Sequence, residues 1–123
     1  MTKIKLLLVD DEEDMIFALK MELEANNFEV LTASDGQEAL DKARKDRPDI
    51  ILMDVMLPKL YGYKVCRMLK FDAKFKNIPI ILFTSLDQKE HEKMSTEVGA
   101  DACVPKPFEF QFLLNKIKGL IKN

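Results

Sequence analysis

The sequence predicts an α/β domain in which five parallel strands form one sheet and five helices cover both of its faces. Three observations predict it. Strand-length apolar runs alternate with stretches of helical spacing, the order of a parallel sheet assembled from βα units. Runs such as Leu6-Leu7-Leu8-Val9 and Ile50-Ile51-Leu52-Met53 are apolar at every position, as strands buried on both faces must be. The chain of 123 residues is long enough for one substantial core, so residues 1–123 are read as a single domain.

The first strand covers residues 5–9 and stops on Asp10-Asp11. A helix follows over 12–26, with Ile16, Leu19 and Leu23 as its apolar stripe and Asp11 as its N-cap. Residues 28–33 make the second strand. Ser34-Asp35-Gly36 then turns the chain into a short helix over 37–45 whose inward face is Ala39, Leu40 and Ala43. Pro48 stops that helix, and Asp49 opens a third strand that ends on Asp54. A loop, Leu57-Pro58-Lys59-Leu60, leads to a helix over 62–69 with Val65 and Leu69 inward. The fourth strand runs over 79–84 and ends on Thr84, and the helix over 88–98 is closed by Gly99. Residues 102–104 form a short fifth strand. Beyond Pro107, Phe108, Phe110 and Phe112 alternate as in a strand, but the spacing of Leu113, Ile117 and Ile121 outweighs them and predicts a helix. Phe112 falls off its stripe and is expected to be exposed. Gly119 costs about 1 kcal/mol inside a helix and is read as a point of close approach.

Right-handed crossovers leave few ways to order five such strands, and the flavodoxin-like order 2-1-3-4-5 leads. In that (βα)5 sandwich the site lies beyond the C-terminal strand ends, where strands 1 and 3 diverge. Those are the two strands that end on acids here.

Composition narrows the function. A net charge of −2 with scattered lysines gives no broad nucleic-acid footprint. The opening apolar run is far too short for a signal-peptide core or a membrane span, so a cytoplasmic location is expected. Cys66 and Cys103 lack metal-like spacing, and no disulfide is expected in a reducing compartment. No output domain follows residue 123, which suits either a stand-alone protein or a piece of a larger regulator.

In the predicted order, neighbouring strand ends carry Asp10 and Asp11, Asp54, Thr84, and Lys106 just past Val104. Three carboxylates held together raise one another's pKa. Lys106 leaves two negative charges, which one Mg²⁺ balances, and that cation favours oxygen ligands and retains open positions for phosphate. The backbone carbonyl of Met56, two residues past Asp54, is a further candidate ligand. Asp54 then suits the role of nucleophile in phosphoryl transfer, forming an acyl phosphate. Lys106, the cation and the Thr84 hydroxyl would neutralise the three phosphoryl oxygens. Glu12, Glu13 and Asp14 fit a plainer role, as negative charge at a helix N-terminus.

Val9-Asp10-Asp11-Glu12, Asp54-Val55-Met56-Leu57-Pro58, Gly62, Phe83-Thr84-Ser85, Gly99-Ala100 and Lys106-Pro107-Phe108 together resemble the receiver domain of two-component response regulators, over essentially the whole chain. The resemblance implies the same strand order, so the topology is not independent of it. It implies that Asp54 is phosphorylated by a histidine kinase or histidine phosphotransfer protein. Asp11 would then bind Mg²⁺ directly and Asp10 largely through water. It further implies a cis Lys106-Pro107 bond, and a downstream protein target on the face made by the fourth helix, fifth strand and fifth helix. Such a chain is a signalling phosphoacceptor whose only catalysis is its own phosphotransfer and slow dephosphorylation. Met56 and Leu86 stand where the family tunes water access to the acyl phosphate; two bulky apolar groups there imply slow loss.

Departures from the family pattern matter as well. Cys103 occupies the place of an aromatic that ordinarily reports phosphorylation by changing rotamer, and a thiol cannot fill that pocket. It is read as a small buried core residue. Pro105 fits only if the fifth strand is an edge. Lys59 and Tyr61 replace the usual Gly and Asp of the loop, Tyr61 being read as a loop aromatic near the site mouth. His91, inside Lys89-Glu90-His91-Glu92-Lys93, is read as a surface residue. Three other functions fit the sequence less well. A flavin carrier needs a phosphate-cradling loop after strand 1, where acids stand instead. An aspartate-nucleophile phosphatase needs an acid two residues past the nucleophile, where Met56 stands. An unphosphorylated receiver-like docking module has no use for the complete acid, hydroxyl and lysine set.

Overall fold

A computed structural model describes residues 3–85 and 87–121. Its elements alternate strictly: β1 (Ile4–Val9), α1 (Glu13–Ala25), β2 (Phe28–Ala33), α2 (Gly36–Asp46), β3 (Ile50–Asp54), α3 (Gly62–Lys70), β4 (Ile80–Thr84), α4 (Gln88–Glu97), β5 (Ala102–Pro105) and α5 (Phe110–Ile121). All four strand pairs are parallel, in the predicted order β2-β1-β3-β4-β5.

The unbroken apolar runs have a simple cause. Leu7, Val9, Ile51, Met53 and Leu82 face one core layer, shared with Ala39, Leu40 and Ala43 of α2 and Val65 and Leu69 of α3. Leu6, Leu8, Ile50, Leu52 and Phe83 face the other, packed on Leu19 and Leu23 of α1 and Leu113 and Ile117 of α5. Each such side chain contributes roughly 1.5–3 kcal/mol when fully buried. With both faces covered, register can place only the strand ends at solvent. Val9 lies opposite Met53, Asp54 opposite Phe83, and Thr84 opposite Pro105, so the residues that follow emerge side by side at one edge.

Several local expectations change. Asp11 does not cap α1: Glu12 holds that position without a side-chain cap, and it is the Asp10 carboxylate that accepts the Glu12 N–H, at 2.9 Å. That leaves the Asp11 side chain turned to solvent. α2 begins at Gly36 because Asp35 caps it, accepting the Glu38 N–H at 2.7 Å, and it ends on Arg47 in the left-handed region just before Pro48. Gly99 follows the C-cap Val98 with φ +83°, a conformation that favours glycine. Gly119 is no point of close approach, since a Cβ there would meet nothing within 4 Å. β5 is an edge strand, so Pro105 costs no ladder bond on its open side.

The largest correction concerns His91. Its neighbours on α4 are charged and exposed, yet its ring is 0% exposed. Nδ1 lies 3.0 Å from the Tyr63 hydroxyl of α3 and 3.2 Å from the Ser95 hydroxyl of α4. Nε2 has no hydrogen-bond partner among the described residues. The spacing explains the inward turn: His91, Ser95 and Val98 share one helix face, and all three are buried.

Candidate functional site

Asp54 is the last residue of β3 and Asp10 the first beyond β1, and both are nearly inaccessible, at 6% and 1% exposure. Asp11 is exposed beside them, and one carboxylate oxygen from each of the three can be taken so that all lie within 4.8 Å. Thr84 closes β4 and is buried. Lys106 follows β5 after its N–H bonds the Thr84 carbonyl at 2.9 Å. Its ammonium reaches back across the strand ends, 3.0 Å from Asp10 and 3.4 Å from Asp54. The structure thus gathers the carboxylates of Asp10, Asp11 and Asp54 with the Lys106 ammonium, and places Thr84 at the neighbouring strand end.

Two features hold the lysine there. The Phe83 ring lies under it, with the ammonium 4.8 Å from the centroid, a favourable contact for a cation. Phe108 stands edge-on to Phe83 at 5.8 Å. The peptide bond between Lys106 and Pro107 is cis, as the resemblance implies. Phe83 as the bed of the lysine is not legible in the sequence: within a uniformly apolar strand, nothing distinguishes the residue whose ring ends up beneath a charge.

The electrostatics fit a site that awaits positive charge. Burial raises the Asp54 pKa above the ordinary carboxylate value, and the adjacent Asp10 charge raises it further; the Lys106 ammonium and the Met56 N–H act in the opposite direction. Burial disfavours the Lys106 ammonium, but its hydrogen bond to Asp10 and the field of Asp54 outweigh that and raise its pKa. Lys106 is therefore a fixed cation. Three carboxylates and one ammonium leave two negative charges, and the acidic trio can hold a metal ion.

The loop beyond Asp54 frames the cleft. The Met56 N–H lies 3.4 Å from Asp54 Oδ1, and the Met56 side chain is 46% exposed at the rim. Leu86, expected to shield the site with it, lies outside the described residues. Tyr61 is exposed at the start of α3, as expected of a loop aromatic. Gly62 is required where it stands, because a Cβ there would fall 2.3 Å from the Asp54 carbonyl oxygen. Cys103 is half-buried rather than buried, and burial pushes its thiol pKa up. Cys66 is buried, its thiol pushed up to about 12, and neither sulfur makes a disulfide. Phe112 is exposed as predicted, with the Lys116 ammonium 5.5 Å from its ring centre. Among the described residues no helix is long and apolar enough to cross a membrane.

Residues 6–118 match the response regulator receiver domain family. Over 118 residues the chain is 40% identical to the alkaline phosphatase synthesis transcriptional regulatory protein PhoP of Bacillus subtilis, covering 96% of this chain and 48% of that protein. It spans about a quarter to a half of the length of the first curated relatives it matches. Among solved structures, it resembles the chemotaxis response regulator CheY4 of Vibrio cholerae, with TM-score 0.89, 33% identity and coverage of 97% and 99% of the two chains. It also resembles the receiver domain of the sensor histidine kinase PA1611 from Pseudomonas aeruginosa, with TM-score 0.90, 26% identity and full coverage of both chains. That structure holds a magnesium ion coordinated in its active-site cleft.

Proposed function

Because this chain belongs to the family of response regulator receiver domains, we propose that it accepts a phosphoryl group on Asp54 from a phosphohistidine of a partner protein. The partner is a histidine kinase or a histidine phosphotransfer protein. The observation that carries the reading is the Lys106 ammonium bridging Asp10 and Asp54, with Asp11 open to solvent beside them.

The donor set suits Mg²⁺: hard oxygens only, an excess of two negative charges, and one exposed carboxylate through which an ion can enter. Asp11, Asp54 and the Met56 carbonyl would hold it, with Asp10 acting largely through water. When bound, the ion neutralises charge on the incoming phosphoryl oxygens. The remaining work falls to the chain. An Asp54 carboxylate oxygen attacks phosphorus, the O–P bond forms as the donor's N–P bond breaks, and the electron pair returns to the imidazole nitrogen. Lys106 stabilises the oxygen nearest it, and the Thr84 hydroxyl takes another. The carboxylate's single charge is replaced by a phosphoryl group of about −2, a change sufficient to bias the surrounding loops. The altered face for a downstream target is α4, β5 and α5, where Met94 and Phe112 are exposed. A cytoplasmic location fits a chain whose two cysteines remain unbridged.

Incubation with a small phosphodonor and Mg²⁺, followed by intact-mass analysis, tests the reading. Wild type should gain one phosphoryl group and Asp54→Asn none. A mutant that gains as much as wild type sinks the assignment of Asp54. The bulky Met56 at the cleft rim leads to slow loss of label from isolated phosphoprotein, which the same assay follows over time.

A further inference from the structure

We propose that Gly36 and the Asp35–Lys59 pair are positioning residues that fix the loop after Asp54 and thereby set the affinity of the acidic cleft for its divalent cation. The inference rests on the reading above, in which the Met56 carbonyl is a ligand.

Residues 55–61 carry the chain from Asp54 to α3. At the base of this loop the Gly62 N–H bonds the Val55 carbonyl at 2.9 Å. At its crest the Pro58 carbonyl accepts two N–H groups, from Leu60 at 2.7 Å and from Gly36 at 3.2 Å. The second comes from a different element, the first residue of α2. The approach there is closer than any side chain permits. A Cβ on Gly36 would lie 1.8 Å from the Leu60 carbonyl oxygen and 2.6 Å from its carbonyl carbon. Both are backbone atoms, so no rotamer change relieves the clash; the loop itself must shift.

Charge reinforces the same junction. Lys59 has φ 67°, a left-handed conformation that a lysine adopts at a cost. Its ammonium lies 3.5 Å from Asp35 Oδ2, while Asp35 Oδ1 caps α2 through the Glu38 N–H at 2.7 Å. One carboxylate thus ties the loop crest to the N-terminus of a rigid helix. Between base and crest sits Met56, whose side chain is exposed and whose N–H makes only a 3.4 Å contact to Asp54. One bond spans it locally: the Leu57 N–H, in the same peptide unit as the Met56 carbonyl, bonds the Val55 carbonyl at 3.1 Å. The direction of that tight turn is set by the anchors on either side, and the crest anchor belongs to the turn between β2 and α2.

The test measures Mg²⁺ affinity by calorimetry, with the amide NMR shifts of Val55 and Met56 as an independent readout. Gly36→Ala should raise the dissociation constant by about tenfold, the usual scale for partners that orient a ligand. Asp35→Asn retains an oxygen to cap α2 but loses the charge pair, and should raise it about two- to fivefold, as should Lys59→Met. These two carry the test if Gly36→Ala does not fold. Ala43→Gly, in the core layer on α2, serves as a control that lowers thermal stability and leaves Mg²⁺ affinity unchanged. Saturable binding in wild type with unaltered constants in Asp35→Asn and Lys59→Met overturns the positioning role alone. Absence of saturable binding in wild type overturns the metal reading and the inference together.

Discussion

Among the described residues, two clusters of polar side chains are largely buried, and they differ in almost every respect. At the C-terminal ends of β1 and β3, Asp10, Asp54 and Lys106 are charged, mutually bonded and open to a cleft through Asp11. Beneath α4, Tyr63, His91 and Ser95 are joined by hydrogen bonds in a closed space, with one ring nitrogen left unpartnered. Buried groups without counter-charges favour their neutral forms. Accordingly, burial lowers the His91 pKa, against the opposing influence of the Leu82 carbonyl and Glu92. The first cluster is arranged around charge that arrives from outside. The second joins α3 to α4 without net charge.

The contrast predicts which substitution acts on which property, and the largest effect belongs to Lys106. Among the described residues it is the only cation bonded to Asp54, and replacing it by Met should slow phosphoryl transfer by about 10²–10³-fold, the scale of losing a preorganised electrostatic stabiliser. Phosphoryl incorporation followed by mass measures it. A loss below about threefold would mean that the lysine is a structural counter-ion, and the distinction between the two clusters would collapse.

His91 should do the reverse. His91→Gln should leave transfer from a small phosphodonor unchanged but alter how stability depends on pH. The sign follows from the lowered pKa. The unfolded chain takes up the histidine proton near its ordinary value, and the folded chain resists until lower pH. Between those values the unfolded state binds more protons, so this contribution to stability is present above about pH 6.5 and is lost as pH falls toward the folded value. The Tyr63 hydroxyl bonded to the ring does not titrate in that window, because burial raises its pKa. Thermal melts from pH 7.5 to 5 should show wild type losing stability more steeply than His91→Gln. Equal slopes would place the acid sensitivity elsewhere.

How far each cluster could be read from the sequence follows from the same difference. Asp10, Asp54 and Thr84 terminate apolar runs, so knowing that the runs are parallel strands is enough to gather them at one edge. Lys106 needs only the short fifth strand before it. The α4 cluster gives no such marker. Its buried face is His91, Ser95 and Val98 at helical spacing, only one of them apolar, inside a segment dominated by charge. Periodicity was present, but hydrophobicity did not mark it. Asp11 reads as the cap of α1, but adjacent carboxylates differ only in which way each turns, and it is Asp10 that turns back to the Glu12 N–H. Gly36 was legible as a turn residue but not as a contact, since its partner Leu60 lies on another loop.

The smallest expected effect returns to Asp54 and separates function from stability. Its pKa is raised, so the folded state holds the proton more readily than the unfolded chain does. Sign and window follow: folding is favoured by protonation, and the group opposes stability at every pH above its folded value. Asp54→Asn replaces the destabilising charge with a neutral amide of the same shape and should raise the melting temperature at pH 7 without Mg²⁺ by about 4 °C, corresponding to roughly 1 kcal/mol in a domain of this size. Saturating Mg²⁺ should narrow or reverse that difference, because ligand binding stabilises the folded wild type by mass action and the mutant lacks one of the three clustered carboxylates. A mutant no more stable than wild type in the absence of metal would mean that Lys106 already neutralises Asp54 in full. The cleft would then have no excess charge on Asp54 to oppose folding, and the two polar clusters would be alike in the one property that most clearly divides them.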